Sequence, residues 1–286
     1  MKPISVTTPK TVRIFENSKL FNPYKSRLFL YMKRLFALKK IMRKEQMNTF
    51  FQPILDIEKN ETFGFEALNR PTPSPLFSNA DVFYEFVGQT KKVFSFECFC
   101  RNLSLHRFRE RLDDHLRNQN FILFVNIHPN VLLDKNYHSG ETLSLLRSLG
   151  IQPQQVVFEL TERSAVTDFD EFSRVLSHYR SQGYRIAIDD VGSGYNSLKT
   201  LIYLKPEFIK IDRSLIQNID MEIAQQQLLS VILHYAQQSG TKVIAEGIER
   251  IEEFHFIKQA GVHYAQGYAL GRPNEQLLLA HSPMIS

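Results

Sequence analysis

The sequence predicts an α/β fold, a TIM-like (β/α)8 barrel whose first strand runs antiparallel to the others. Three observations point there. Eight short apolar runs recur along the 286 residues, and most end on polar side chains. From the second run onward, segments with helical spacing separate them. Only Asp56 to Thr62 lie between the first two runs. A parallel crossover needs a dozen or more residues, so that link is a hairpin.

Residues 1 to 18, with Pro3, Pro9 and several Thr, read as a loose tail. From Asn17 to Lys44 the chain holds nine cations and no acid, which leaves 26 basic against 30 acidic residues elsewhere. The +5 net charge therefore belongs to an N-terminal extension, here 1–32, and not to a barrel domain over 33–286. Leu28, Tyr31, Leu35, Leu38 and Met42 follow three-four spacing and line one helix face, with Lys33, Lys40, Arg43 and Lys44 largely opposite. Three roles stay open for residues 19–44. The helix packs on the barrel as a lead-in, pairs with a partner helix (two heptads are short for a coiled coil), or lies on an anionic membrane surface. Nucleic-acid binding rests on these cations alone and is the weakest idea.

The strands follow in order. They are Phe50–Leu55, Phe63–Arg70, Phe121–Asn126, Val156–Glu162, Arg185–Asp190, Phe208–Asp212, Lys242–Glu249 and Tyr264–Gly267. Helical patterns run from Phe169 to Ser181, Met221 to Ser239 and Ile251 to Gln259. The fifth strand stops at Asp189-Asp190, and Gly192 and Gly194 follow in a flexible loop. Consecutive strand residues face opposite ways, so both carboxylates share a site only where the strand bends. Crowded carboxylates resist ionisation unless a cation joins them. A solvated Asp-Asp turn would look the same in isolation, but the other strands also end on polar groups. Glu66, Asn126, Glu159, Asp189 and Asp190 form the hard oxygen set that Mg²⁺ or Mn²⁺ prefers, and barrel sites gather at these strand ends.

Seven motifs, namely GFEALNR, FVNIHP, FELTER, IDDVGSGYNSL, FIKID, IAEGIE and QGYALGRP, occur in order from about Lys39 to Pro273. Together they resemble the EAL domain of cyclic di-GMP phosphodiesterases, a barrel with one antiparallel strand. The resemblance implies hydrolysis of cyclic di-GMP to linear pGpG by in-line attack of a metal-bound hydroxide. It implies two Mg²⁺ or Mn²⁺ per site, with Ca²⁺ inhibitory. One metal falls to Glu66, Asn126, Glu159 and Asp189, and the second to Asp189, Asp190 and Glu246. Lys210 then stands beside the attacking water as a catalytic group with Glu66 and Glu246. Gln52, Leu68, Arg70 and Gln266 line the dinucleotide site. Glu162 pins the Gly192–Gly194 loop, and Glu249 supports the metal ligands from behind. The resemblance also implies a homodimer contacted near Asp189–Leu198. His128, Asn69, Val191 and Ser193 depart from the commoner family residues, and Val191 replaces an aromatic beside Asp190. The alternative is a non-catalytic cyclic di-GMP receptor or protein-interaction module on the same fold.

Composition fits one barrel of about 250 residues plus an extension. An apolar fraction of 43% with 23 Phe supplies the core. Cys98 and Cys100, two apart on a helix, point in different directions and form neither a disulfide nor a metal pair, as expected in the cytoplasm. No run approaches a membrane span or a signal-peptide core, which leaves at most a peripheral position at the inner membrane face.

Overall fold

The computed structural model describes residues 23–43, 46–113, 115–117, 119–127, 139–161, 169–192 and 197–283. Eight strands close a barrel in sequence order. They are β1 (Met47–Asp56), β2 (Glu61–Pro71), β3 (Ile122–Asn126), β4 (Val156–Thr161), β5 (Arg185–Val191), β6 (Phe208–Ile211), β7 (Lys242–Ala245) and β8 (Tyr264–Ala265). β1 is antiparallel to both neighbours, β2 and β8, while the remaining pairs are parallel. The hairpin turns at Asn60, whose φ of 55° is left-handed, a conformation that asparagine tolerates better than most residues.

The period of two along each strand builds the interior. Ile54, Ile122, Phe124, Val157, Ala187, Phe208 and Ile244 fill an apolar layer, backed by Phe63 and Tyr264. Two positions further on, each parallel strand changes character. Asn126 follows Phe124, Glu159 follows Val157, Asp189 follows Ala187, Lys210 follows Phe208, Glu246 follows Ile244, and Gln266 follows Tyr264. A dry floor thus lies directly under a polar layer at the strands' C-terminal ends.

Outward-facing residues pack against the helices. These are α1 (Pro23–Ile41), α2 (Ala80–Gly88), α3 (Val93–Arg111), α4 (Ser139–Leu149), α5 (Phe169–Ser181), α6 (Ser197–Leu204), α7 (Arg213–Ile216), α8 (Ile223–Ser239) and α9 (Ile251–Ala260). Cys98 and Cys100, both on α3, are free thiols.

The N-terminal helix is a partial correction. α1 runs through the expected 32/33 boundary. Leu38 and Ile41 bury fully against Phe77, Phe83, Phe86 and Phe96, with Leu35 and Met42 half-buried beside them. Leu28 and Tyr31, expected on the packed face, are exposed. The Phe77–Phe96 cluster reaches α1 mainly from Arg34 onward, so among the described residues Leu28 to Met32 stay exposed, with one edge contact of Tyr31 with Phe86, at 5.6 Å between rings. No helix of the described residues is long and apolar enough to cross a membrane.

Candidate active site

The polar layer converges on one ammonium group. Lys210 Nζ lies 2.7 Å from Glu159, 2.8 Å from Glu246, 3.2 Å from Glu66 and 3.3 Å from Asp189, and its side chain is 1% exposed. Ile209 and Ile211 turn outward into the core, which sends Lys210 inward by strand alternation. Glu66 is further held by Asn126 Nδ2, at 3.1 Å, and by Gln266 Nε2, at 2.9 Å. Gln266 arrives there because Gly267 packs flush on the chain after β7. A Cβ at Gly267 would fall 2.2 Å from the main-chain N and O of Ile248.

Asp190 joins the site by a bend. Its φ is 59°, and the β5–β6 register shifts between Ile188 and Val191. The irregularity swings Asp190 back beside Asp189, whose carboxylate accepts from the Asp190 amide at 3.0 Å. Oxygens of Asp189, Asp190 and Glu246 then come within 4.8 Å of one another. β5 continues one residue further than expected, because Val191 is buried and its carbonyl accepts from the Asp212 amide at 3.1 Å.

Four acids face one lysine, and their protonation reflects it. Burial pushes the Glu159 carboxyl well above the usual range, and the charge of Glu66 adds to that. Burial likewise raises Asp189 and Glu246, against the pull of Lys210. Burial would also raise Glu66, but Lys210, Gln266 and Asn126 together bring it below its ordinary value. Burial alone would depress Lys210, yet Asp189, Glu159, Glu246 and Glu66 hold it well above its ordinary value and fully protonated. Among the described residues, neither Glu159 oxygen has a hydrogen-bond partner, although Oε1 touches Lys210 Nζ outside hydrogen-bond geometry. Gln266 Oε1 is likewise buried without a partner among the described residues. A crowded, under-satisfied oxygen set fits hard divalent cations, which take carboxylates and amide oxygens directly or through water.

The outer residues are looser. Gln52 pairs across the β1–β2 register with Glu66 and donates to the Gly271 carbonyl at 3.3 Å. Leu68 and Arg70 continue the Glu66 face of β2 towards solvent, Leu68 half-buried and Arg70 exposed. Arg70 Nη1 rests on the Asn69 carbonyl at 3.3 Å, which also accepts from Tyr84 Oη at 2.8 Å. The Asn69 side chain turns the other way, accepting from Thr49 Oγ1 at 2.6 Å and donating to Ser104 Oγ at 2.9 Å. An asparagine is accommodated there because Thr49 and Ser104 face it. Glu249 does not join the cluster. It is exposed and pairs with Arg213 at 3.0 Å. Glu162, His128, Ser193 and Gly194 lie outside the described residues.

One supporting residue is missing from the sequence reading. Glu253 is buried on α9 and accepts from the amides of Asn218 (2.9 Å), Glu249 (3.0 Å) and Arg250 (3.1 Å). It fixes the loop after Glu246. The available signal is its place three residues after Arg250 at a helix start, where a glutamate closes back on the main chain.

Such a barrel, with one reversed strand and a mouth of carboxylates around a buried lysine, is one whose open end can gather cations and a charged ligand. The chain belongs to the EAL domain family, whose model matches residues 37–273. It is 28% identical over 240 residues to PdeN of Escherichia coli K12, named a probable cyclic di-GMP phosphodiesterase; the match covers 81% of this chain and 44% of PdeN. It is 26% identical to BluF of the same bacterium, a blue light- and temperature-regulated antirepressor, over 76% of this chain and 52% of BluF. A solved structure of Klebsiella pneumoniae BlrP1 with calcium and cyclic di-GMP matches with a TM-score of 0.69 at 25% identity, covering 92% of this chain and 68% of that one. The chain thus spans about half or less of these two curated relatives.

Proposed function

We propose that this chain hydrolyses cyclic di-GMP to linear pGpG, displacing the ribose 3′ oxygen from one phosphorus. The observation behind it is the complete acid layer around Lys210, drawn from β2, β4, β5 and the end of β7 within hydrogen-bonding distance of one atom. Glu66, Asn126, Glu159 and Asp189 would hold one Mg²⁺ or Mn²⁺. Asp189, Asp190 and Glu246 would hold a second, with Asp189 shared. Bound there, such cations supply Lewis acidity and make water a nucleophile near neutral pH.

The chain's own residues do the rest. Lys210 stays protonated and places a fixed positive charge beside the acids, where it orients the attacking water and offsets charge growing on the phosphate. Gln266 holds Glu66 in position through its amide and leaves its own oxygen free to accept from water. Arg70 offers a planar fork to a phosphate oxygen pair, and its hydrogen bond to the Asn69 carbonyl, at 3.3 Å, is weak enough to release. Leu68 and Gln52 wall the entrance below it. The apolar floor under the acids keeps bulk water from the far side.

A homodimer belongs to the same reading. Ile202 on α6 and Leu228 and Val231 on α8 are exposed, on helices joined by Tyr235 Oη donating to the Leu201 carbonyl at 2.9 Å. The test is incubation of purified protein with cyclic di-GMP and Mn²⁺ or Mg²⁺, with nucleotides resolved by chromatography. Production of pGpG is expected. Tight binding with no product under any divalent ion would replace the enzyme by a receptor.

A further inference from the structure

Helix α1 uses only one of its faces. Arg34, Leu35, Leu38 and Ile41 lie towards the domain, and Arg34 Nε donates to the Leu76 carbonyl at 3.1 Å. At 3.6 residues per turn, Phe29, Met32 and Phe36 fall on the far side, whereas Leu28 shares the side of Leu35 but is exposed. Phe29, Met32 and Phe36 are 61%, 43% and 65% exposed. Cations flank them. Lys33 Nζ sits 4.4 Å from the Phe29 ring centroid and Lys39 Nζ 5.9 Å from that of Phe36. Lys40 and Arg43 are exposed on the following turns, and no acid occurs from Asn17 to Lys44.

Charge and polarity together choose the occupant. A second copy of this face would set Lys33, Lys39 and Lys40 against their own counterparts, like charge against like. A nucleic acid would neutralise the cations but leave Phe29, Met32 and Phe36 against phosphates. An anionic lipid surface satisfies both: the apolar side chains enter the acyl boundary while the ammonium groups reach up to the headgroups. The packed face points the opposite way, so the bulk of the domain, net acidic, is held on the side away from the lipid. We propose that the Phe29/Met32/Phe36 face of α1 docks this protein on an anionic phospholipid surface.

The test mixes the full chain with vesicles of phosphatidylcholine alone or of phosphatidylcholine with phosphatidylglycerol, and measures co-sedimentation. Binding to the anionic vesicles is expected to be at least tenfold tighter than to the neutral ones and to fall as salt rises. Phe29→Ser/Phe36→Ser should weaken it at least tenfold. Lys33→Glu/Lys40→Glu should weaken it further, at about fivefold for each cation removed before the added repulsion counts. All four positions are exposed, so melting temperature and turnover should match the parent and separate lost docking from lost folding. Equal binding to both vesicle types, binding unaltered by either variant, or no binding at all would overturn the proposal. So would a doubled solution mass that the Phe29/Phe36 variant abolishes, which would make a second copy the occupant.

Discussion

Replacing Lys210 by methionine removes the only cation among the described residues of the acid layer while keeping its volume and stem. Nζ makes four contacts of 2.7 to 3.3 Å. At an effective dielectric of about 20, each is worth roughly 5 kcal/mol of gross attraction, set against several kcal/mol for desolvating each ion. Breaking such a buried cluster from one side leaves the carboxylates uncompensated and costs about 3–5 kcal/mol. In a domain of this size that lowers the melting temperature by roughly 10 °C in EDTA. Saturating Mn²⁺ should close much of the gap to the parent, because a divalent ion replaces the missing charge and binds only the folded site. Turnover should fall about a hundredfold with Mn²⁺ present, while substrate affinity changes little. Thermal melts by scanning fluorimetry, with and without Mn²⁺, read the first two effects. An unchanged melting temperature in EDTA, or a gap that Mn²⁺ leaves intact, would refute the idea that Lys210 stands in for metal charge.

Four further outcomes follow from the same geometry. Glu66→Ala should abolish turnover and also lower the metal-free melting temperature, since Asn126, Gln266 and Lys210 lose a shared acceptor; activity within tenfold of the parent would contradict its role as a ligand. Glu253→Ala should cost about 3 kcal/mol by orphaning amides of Asn218, Glu249 and Arg250, read as a lower urea midpoint. Deleting residues 1–26 should leave turnover per site nearly unchanged. Deleting through Lys44 should cost roughly 3–6 kcal/mol, the burial of Leu38 and Ile41, and expose the Phe77–Phe96 cluster to aggregation, checked by melting and light scattering.

Much of this was legible because a barrel writes its layers into the chain with a period of two. Phe124 then Asn126, Phe208 then Lys210, and Ile244 then Glu246 announce a dry floor and a polar ceiling before any coordinates. The short Leu55–Phe63 link fixes the reversed first strand, since too few residues remain for a crossover. Adjacent Asp189 and Asp190 require a bend, and the left-handed φ at Asp190 supplies it. Convergence is what the sequence does not hold. Lys210 and Glu66 are 144 residues apart, and only barrel closure makes them neighbours. The family resemblance alone set Glu249 behind the metal ligands, but the chain turns at Gly247, whose φ is 69°, and Glu249 pairs with Arg213 at 3.0 Å. Leu28 and Tyr31 share the spacing of Leu35 and Leu38, yet periodicity records which side chains share a face and not how far the partner surface extends.

The most direct test of the central claim exchanges the cation under bound substrate. Ca²⁺ accepts the same carboxylate oxygens but is larger, takes more ligands at longer distances and polarises water less than Mn²⁺. Protein loaded with Ca²⁺ and cyclic di-GMP should hold the dinucleotide tightly without cleaving it, and should release pGpG once Mn²⁺ replaces Ca²⁺. Binding that needs no metal, followed by no pGpG with any divalent ion, would contradict the account and leave a receptor in place of the enzyme.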